Sequence, residues 1–175
     1  MSVVLAGLLG GVIIGTQFWL DHRLAEEAME MVEKIDVEID VLKGEANRLR
    51  ALRAEASGDE AAALNSELRQ TASRIVFKNI EAFNNARSVV DLRFIRAERS
   101  ALQLTRDRLF LTIRAALDYG EPELAKALTD IVMQRQAEDE ASMMSNTDME
   151  RLQALAAEAE EAITRATEPA ASNRP

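Results

Sequence analysis

Hydrophobic residues recur at steps of three and four along most of the chain, which is the spacing of one face of an α-helix. In residues 23–56 this spacing forms a seam flanked by charges of both signs, as in a coiled coil. The seam consists of Val32, Ile35, Ile39, Leu42, Ala46 and Leu49. We predict an amphipathic, coiled-coil-like helix here. The core face of a helical bundle has the same pattern over about three heptads, so both interpretations stay open.

Two short segments interrupt the helical pattern. Gly58 is suited to end the first body helix, and the sequence around Gly120 and Pro122 is suited to end one helix and start another. Between them, residues 57–119 predict a long central helix, which is either one rod, with or without a kink in residues 84–88, or a hairpin that folds back near Asn84 and Asn85. Two apolar stripes in its second half indicate burial on two faces.

After Gly120 the pattern predicts two further helices within residues 120–167 and a flexible tail in residues 168–175. Thr147 and Glu150 have the spacing of a capping box, which places the start of the last helix at Thr147. The fold class predicted from the pattern is all-α: an N-terminal transmembrane helix that continues into an elongated helical bundle or coiled coil.

The first segment, residues 1–22, differs from the rest because it is apolar on all sides. Residues 3–20 carry no charge, and as a helix they would span about 27 Å, close to the hydrocarbon thickness of a bilayer. Trp19 follows where an interfacial anchor is expected, and charged residues begin at Asp21. We therefore predict a single transmembrane anchor in contact with the lipid bilayer.

Two alternatives to a membrane anchor fit this segment less well. A cleaved signal peptide usually has basic residues before a shorter apolar stretch and small residues at the cleavage site. No Lys or Arg precedes the apolar run here, and residues 17–20 (Gln-Phe-Trp-Leu) are a poor cleavage site. A buried helix of a soluble protein is disfavoured because the run is terminal and apolar all round.

Glycines occur at every fourth position of the apolar segment: Gly7, Gly11 and Gly15. In water each would weaken a helix by about 1 kcal/mol relative to alanine. In lipid, small residues on one helix face let another backbone approach closely, and this contact drives helix association. We predict a helix–helix contact in the membrane at these glycines, although glycine is also common in membrane helices generally.

The orientation in the membrane is weakly specified by sequence. Arg23 and Lys34 on the carboxyl side favour a body on the cytoplasmic side, whereas an uncleaved N-terminal anchor often leaves the body outside. Both orientations stay open. We expect a single-pass protein of a bacterial cytoplasmic membrane.

Composition and charge support a helical protein and argue against a nucleic-acid partner. The 175 residues include 7 Gly, 3 Pro and no Cys, and the net charge is −9. Residues 21–56 carry −4, residues 57–117 carry +3 and residues 118–175 carry −8. A basic central helix suits packing against acidic neighbours, and an acidic chain with few aromatic residues is a poor nucleic-acid binder.

The sequence lacks the motifs of common chemistries. His22 is the single histidine, so no pair of histidines has metal-ligand spacing, and no phosphate-binding glycine loop is present. We therefore predict no catalytic residue, cofactor site or metal site. The expected function is that of a non-enzymatic scaffold or stalk subunit that assembles with itself, with other subunits of a membrane complex, or with both.

One alternative function comes from the acidic carboxyl-terminal helices. In that hypothesis the anchor only localises a monomeric bundle, and these helices bind a soluble partner as an adaptor or sensor.

Overall fold

A computed structural model gives five α-helices and no β-strand among the residues that it describes. The helices in chain order are α1 (Ser2–Glu55), α2 (Gly58–Val90), α3 (Arg99–Asp118), α4 (Pro122–Glu138) and α5 (Asn146–Thr167). The backbone is described for residues 2–90, 99–138 and 144–167, and the side chains for residues 15–90, 102–134 and 144–167. The prediction of an all-α helical bundle is confirmed.

The predicted anchor, residues 1–22, has described side chains only from Gly15 onward. Most of that prediction therefore lies outside the described side chains, and the predicted tail in residues 168–175 lies outside the described residues altogether. In the part of the chain that is described, no helix is both long enough and apolar enough to cross a membrane.

Helix α1 is a single element of 54 residues, about 80 Å long. It joins the apolar first segment and the amphipathic residues 23–56 without an intervening proline. It ends at Glu55, where the chain reverses through Gly58, whose φ of 61° is a left-handed value that glycine adopts without strain. Asp59 and Glu60 then lie in the first turn of α2, where carboxylates interact favourably with the helix dipole.

Helices α1 and α2 pack against each other as an antiparallel hairpin. Ile35 and Ile39 of α1 contact Ala82 of α2. Leu42 and Ala46, nearer the C-terminal end of α1, contact Ile75, which is nearer the N-terminal end of α2. Small buried alanines on α2, including Ala72, Ala82 and Ala86, let the two helices approach closely. The hairpin is the longest contact between helices in the described structure.

The central segment contains two helices in the described structure, α2 and α3. Helix α2 continues without a break through residues 84–88 and ends at Val90, and α3 begins at Arg99. The hydroxyl of Thr105 donates to the carbonyl of Ala86 at 3.2 Å, and that of Thr112 to the carbonyl of Asn79 at 3.2 Å. These two contacts fix α3 antiparallel to α2.

A Schellman motif ends α3. The amide of Glu121 donates to the carbonyl of Ala116 at 2.8 Å, and the amide of Gly120 to that of Leu117 at 3.3 Å. Gly120 has a φ of 82°, and Pro122 begins α4 directly afterwards. The turn therefore lies at the predicted stop of Gly120 and Pro122, and α4 and α5 follow it.

Helices α4 and α5 pack against α3. Their apolar faces close the largest core cluster of the described chain, which is centred on α3. Its buried members are Val76, Leu109, Phe110, Ile113, Ala115, Ala116, Ala125, Leu152 and Ala159. Helix α3 therefore lies at the centre of the body, with α2 on one side and α4 and α5 on the other.

The cap of α5 lies two residues before the predicted one. The hydroxyl of Ser145 accepts from the amide of Asp148 at 3.2 Å, and the amide of Ser145 donates to the Asp148 carboxylate at 3.0 Å. This reciprocal pair is a capping box with Ser145 at the N-cap. The prediction of Thr147 and Glu150 was wrong because the same spacing occurs earlier, in Ser145 and Asp148.

Candidate interaction site

The predicted seam is buried within the chain. Each of its members is at most 7% exposed, and four of them, Ile35, Ile39, Leu42 and Ala46, pack with Ala82 and Ile75 of α2 in the same chain. Of the two interpretations left open by the sequence, the structure therefore shows the core face of a bundle. The seam residues, all buried within the chain, are Val32, Ile35, Ile39, Leu42, Ala46 and Leu49.

The predicted glycine face lies at the start of α1. Gly7 and Gly11 belong to the helix, but their surroundings lie outside the described side chains. At Gly15 a Cβ atom would meet no other heavy atom within 4 Å. The face is open at this position, which leaves room for a neighbouring helix.

Large apolar side chains cluster on α1 just after Gly15. Phe18, Trp19 and Leu24 are each about half exposed, at 55%, 56% and 51%. The guanidinium of Arg23 lies 5.7 Å from the centre of the Trp19 ring, a cation–π distance. The ring of Trp19 therefore lies at the junction of apolar and charged residues, as an interfacial residue would.

Ion pairs join α1 to α3 and α1 to α2. Arg108 of α3 forms a bidentate pair with Asp36 of α1, and the Arg108 side chain is 11% exposed. Nζ of Lys78 lies 2.8 Å from carboxylate oxygens of both Glu38 and Glu81. These hydrogen bonds, that of Glu38 first, raise the pKa of Lys78 above its usual value.

The acidic carboxyl-terminal helices pair with basic residues inside the chain. The pairs are Arg106–Asp148 at 2.9 Å, Arg114–Glu158 at 2.8 Å and Lys126–Glu160 at 3.5 Å. The pKa of Asp148 lies below its usual range, chiefly because the Ser145 backbone amide and hydroxyl hydrogen-bond its carboxylate. The pKa of Arg114 is raised above its ordinary value by Asp118 first and then by Glu158. Basic residues of α3 and α4 thus form ion pairs with acidic residues of α5 in the folded chain.

A groove on the α1–α2 hairpin is the main apolar surface that sequence reasoning missed. Val37 and Val41 of α1 and Phe77 of α2 are 66%, 67% and 67% exposed, and they line a space of about 640 Å³. Acidic Glu38 and Glu45 lie on its α1 side. Basic Arg74 and Lys78 lie on its α2 side. The sequence feature that could have indicated this groove is the pair Val37 and Val41, which are four residues apart on α1 and do not belong to the buried seam.

Among the residues whose side chains are described, 15–90, 102–134 and 144–167, no cluster of three or more acidic or histidine side chains could hold a metal ion. The pKa shifts described above arise from ion pairs and from a helix cap. Comparison of the chain with protein families, curated proteins and solved structures gives no match.

Proposed function

We propose that the protein is a non-enzymatic, single-pass, membrane-anchored helical scaffold or stalk subunit. It assembles with copies of itself or within a larger membrane complex. The observation that carries the proposal is the continuity of α1, which extends as one helix from Ser2 to Glu55.

A continuous helix is a suitable mechanical link between an anchor and a body. The interior of α1 contains no proline, the residue that most often kinks a helix. Its second half is fixed to α2 by the buried seam and to α3 by the pair of Asp36 with Arg108. The body is therefore held at a fixed angle to the first turns of α1, as a scaffold or stalk requires.

The surface at the start of α1 supports a contact in the membrane. Gly15 is open to an approaching backbone, and Gly7 and Gly11 continue the same face at steps of four residues. Phe18 and Trp19 follow at the boundary where aromatic side chains favour the lipid–water interface. An uncharged helix with one flat face and an aromatic end is suited to insert into the bilayer and contact a second helix there.

The adaptor hypothesis has less support from the described contacts. It requires carboxylates of α4 and α5 to be free for a soluble partner. Several of them are engaged with basic residues of the same chain, through the pairs Arg106–Asp148, Arg114–Glu158 and Lys126–Glu160. We therefore rank the adaptor second.

Membrane extraction tests the anchor. The full-length chain should stay with the membrane after washing at alkaline pH, and the double variant Leu9→Arg, Ile13→Arg should be released. Two charges in the middle of the apolar run would cost about 5–7 kcal/mol of insertion free energy on translocon scales. Ile131→Arg, on an exposed position of α4, is the matched control and should stay membrane-bound. Release of the wild-type chain by the alkaline wash would contradict the proposal.

A further inference from the structure

The groove of Val37, Val41 and Phe77 carries an unusual amount of exposed apolar surface for a helix pair that is otherwise well packed. Two valines and a phenylalanine, each about two-thirds exposed, lie on neighbouring turns of α1 and α2. Grouped apolar surface of this kind marks interaction sites more often than scattered single residues do.

We propose that this groove is an interface between two copies of the chain, related by a two-fold axis that lies parallel to the α1–α2 hairpin. The inference rests on the proposed self-assembly and specifies its surface outside the membrane. A two-fold contact is isologous, so the surface must be complementary to itself.

The charges along the groove are self-complementary for this axis. The α1 side is acidic, with Glu38 and Glu45, and the α2 side is basic, with Arg74 and Lys78. An axis parallel to the hairpin places α1 of each copy across from α2 of the other, so that the acidic side faces the basic side. An axis perpendicular to the hairpin places α1 on α1, so that acidic residues face each other and repel.

The heights of the residues along the hairpin agree with this pairing. Ile35 and Ile39 pack with Ala82, and Leu42 and Ala46 pack with Ile75, which sets the antiparallel register of α1 and α2 along the groove. In this register Val41 lies within about one residue of the level of Phe77. With the axis parallel to the hairpin, Val41 of one copy therefore packs on Phe77 of the other.

The register also places Glu45 level with Arg74, which puts Glu45 of one copy against Arg74 of the other. Within the described part of the chain neither of these two side chains forms an ion pair, so both are available.

The direction of α1 gives an independent reason for the same axis. A two-fold axis parallel to the hairpin leaves both copies of α1 pointing the same way, so both apolar segments reach one membrane. The perpendicular axis sends them in opposite directions. The membrane contact at Gly7, Gly11 and Gly15 and the groove contact can then form in the same dimer.

Disulfide cross-linking between two differently tagged full-length chains tests the interface. The chain has no cysteine, so single cysteines introduce no background. One chain carries Val41→Cys and the other Phe77→Cys; both are co-expressed, and isolated membranes are treated with a mild oxidant. We expect a cross-linked species that contains both tags. Leu111→Cys paired with Ile131→Cys, two exposed positions away from the groove, is the control and should cross-link weakly.

Three outcomes would overturn the proposal. The first is a cross-link that joins two Val41→Cys chains in preference to the mixed pair, because it indicates the perpendicular axis. The second is the absence of a mixed species. The third is a mixed species no more abundant than the control pair, since collisions in the membrane would explain it.

Charge reversal provides the second measurement. Arg74→Glu in the Phe77→Cys chain should lower the mixed cross-link about fivefold, because a favourable pair becomes a repulsive one. Glu45→Arg in the Val41→Cys chain should restore it. An unchanged yield in both variants would contradict the proposed pairing of Glu45 with Arg74.

Failure of this inference is distinguishable from failure of the proposed function. A chain that resists alkaline extraction and forms oligomers sensitive to Gly11→Ile, but gives no Val41–Phe77 cross-link, retains the scaffold proposal and loses the groove interface. A chain that gives the cross-link but is released from the membrane retains the interface and loses the anchor.

Discussion

Substitution of the buried residue Ile75 tests the packing between α1 and α2 most directly. Its side chain is 0% exposed and contacts Leu42 and Ala46 of α1. Ile75→Ala removes about three carbon groups, each worth ~0.8 kcal/mol when buried, and leaves a cavity that adds to this loss. We expect the free energy of unfolding to fall by about 3 kcal/mol, within the range of about 2–5 kcal/mol found for such substitutions.

Ile131→Ala is the matched control for this prediction. Ile131 is also on a helix, but it is 51% exposed, so the same substitution there should change the free energy of unfolding by less than about 1 kcal/mol. The higher helix propensity of alanine contributes equally at the two positions and cancels in the comparison.

Urea unfolding of the full-length chain in mild detergent, followed by far-ultraviolet circular dichroism, measures both variants. The expected result is a clearly lower midpoint for Ile75→Ala with an unchanged slope. Equal midpoints for the two variants would refute the reasoning, because they would mean that Ile75 is not enclosed by α1. The seam of α1 would then be free for another chain.

Other predictions concern a glycine turn and a helix cap. Gly120→Ala should lower the free energy of unfolding by about 1–2 kcal/mol, because the φ of residue 120 is 82° and alanine is strained there. Gly44→Ala, at an open position inside α1, should raise the free energy of unfolding by about 1 kcal/mol. Urea midpoints of the two variants that move in the same direction would contradict this prediction. Ser145→Ala should cost about 1 kcal/mol by the same assay, and no change would exclude Ser145 as the N-cap. The lowered pKa of Asp148 contributes stability that is complete above the usual carboxyl pKa and is lost as the pH falls through the pKa of the folded state. An NMR titration should show a low pKa for Asp148 in the wild-type chain and a higher one in Ser145→Ala. An ordinary pKa of Asp148 in the wild-type chain would contradict this prediction.

Much of the fold could be predicted from the sequence because helical periodicity reports which positions are buried. The seam from Val32 to Leu49 was identified residue by residue, and Gly58 and Gly120 marked reversals where a left-handed φ is needed. Periodicity does not report which element covers a buried face. The sequence therefore could not decide whether α1 packs on α2 or on another chain.

The sequence left open whether the central segment is one rod or a hairpin. Residues 91–98, between α2 and α3, contain neither glycine nor proline, the residues that most often mark the end of a helix. The asparagines in residues 84–88 drew attention to the wrong place: α2 passes through them, and the side-chain amide of Asn85 donates to the carbonyl of Glu81 within the helix at 2.9 Å.

The groove was missed because its residues come from two helices. Val37 and Val41 are apolar positions outside the seam of α1, and Phe77 is a single aromatic residue on α2. Their proximity depends on the register of the hairpin, which the sequence pattern of either helix alone does not contain.

The mass of the full-length protein in mild detergent, measured by light scattering, tests the central claim of self-assembly through the anchor most directly. The wild-type chain is compared with Gly11→Ile and with Gly44→Ile, a control on the same helix where a larger side chain meets open space. The account predicts a defined oligomer for the wild type and for Gly44→Ile, and a mass shifted toward the 19.4 kDa monomer for Gly11→Ile. A monomeric wild-type chain, or an oligomer that Gly11→Ile leaves intact, would contradict it.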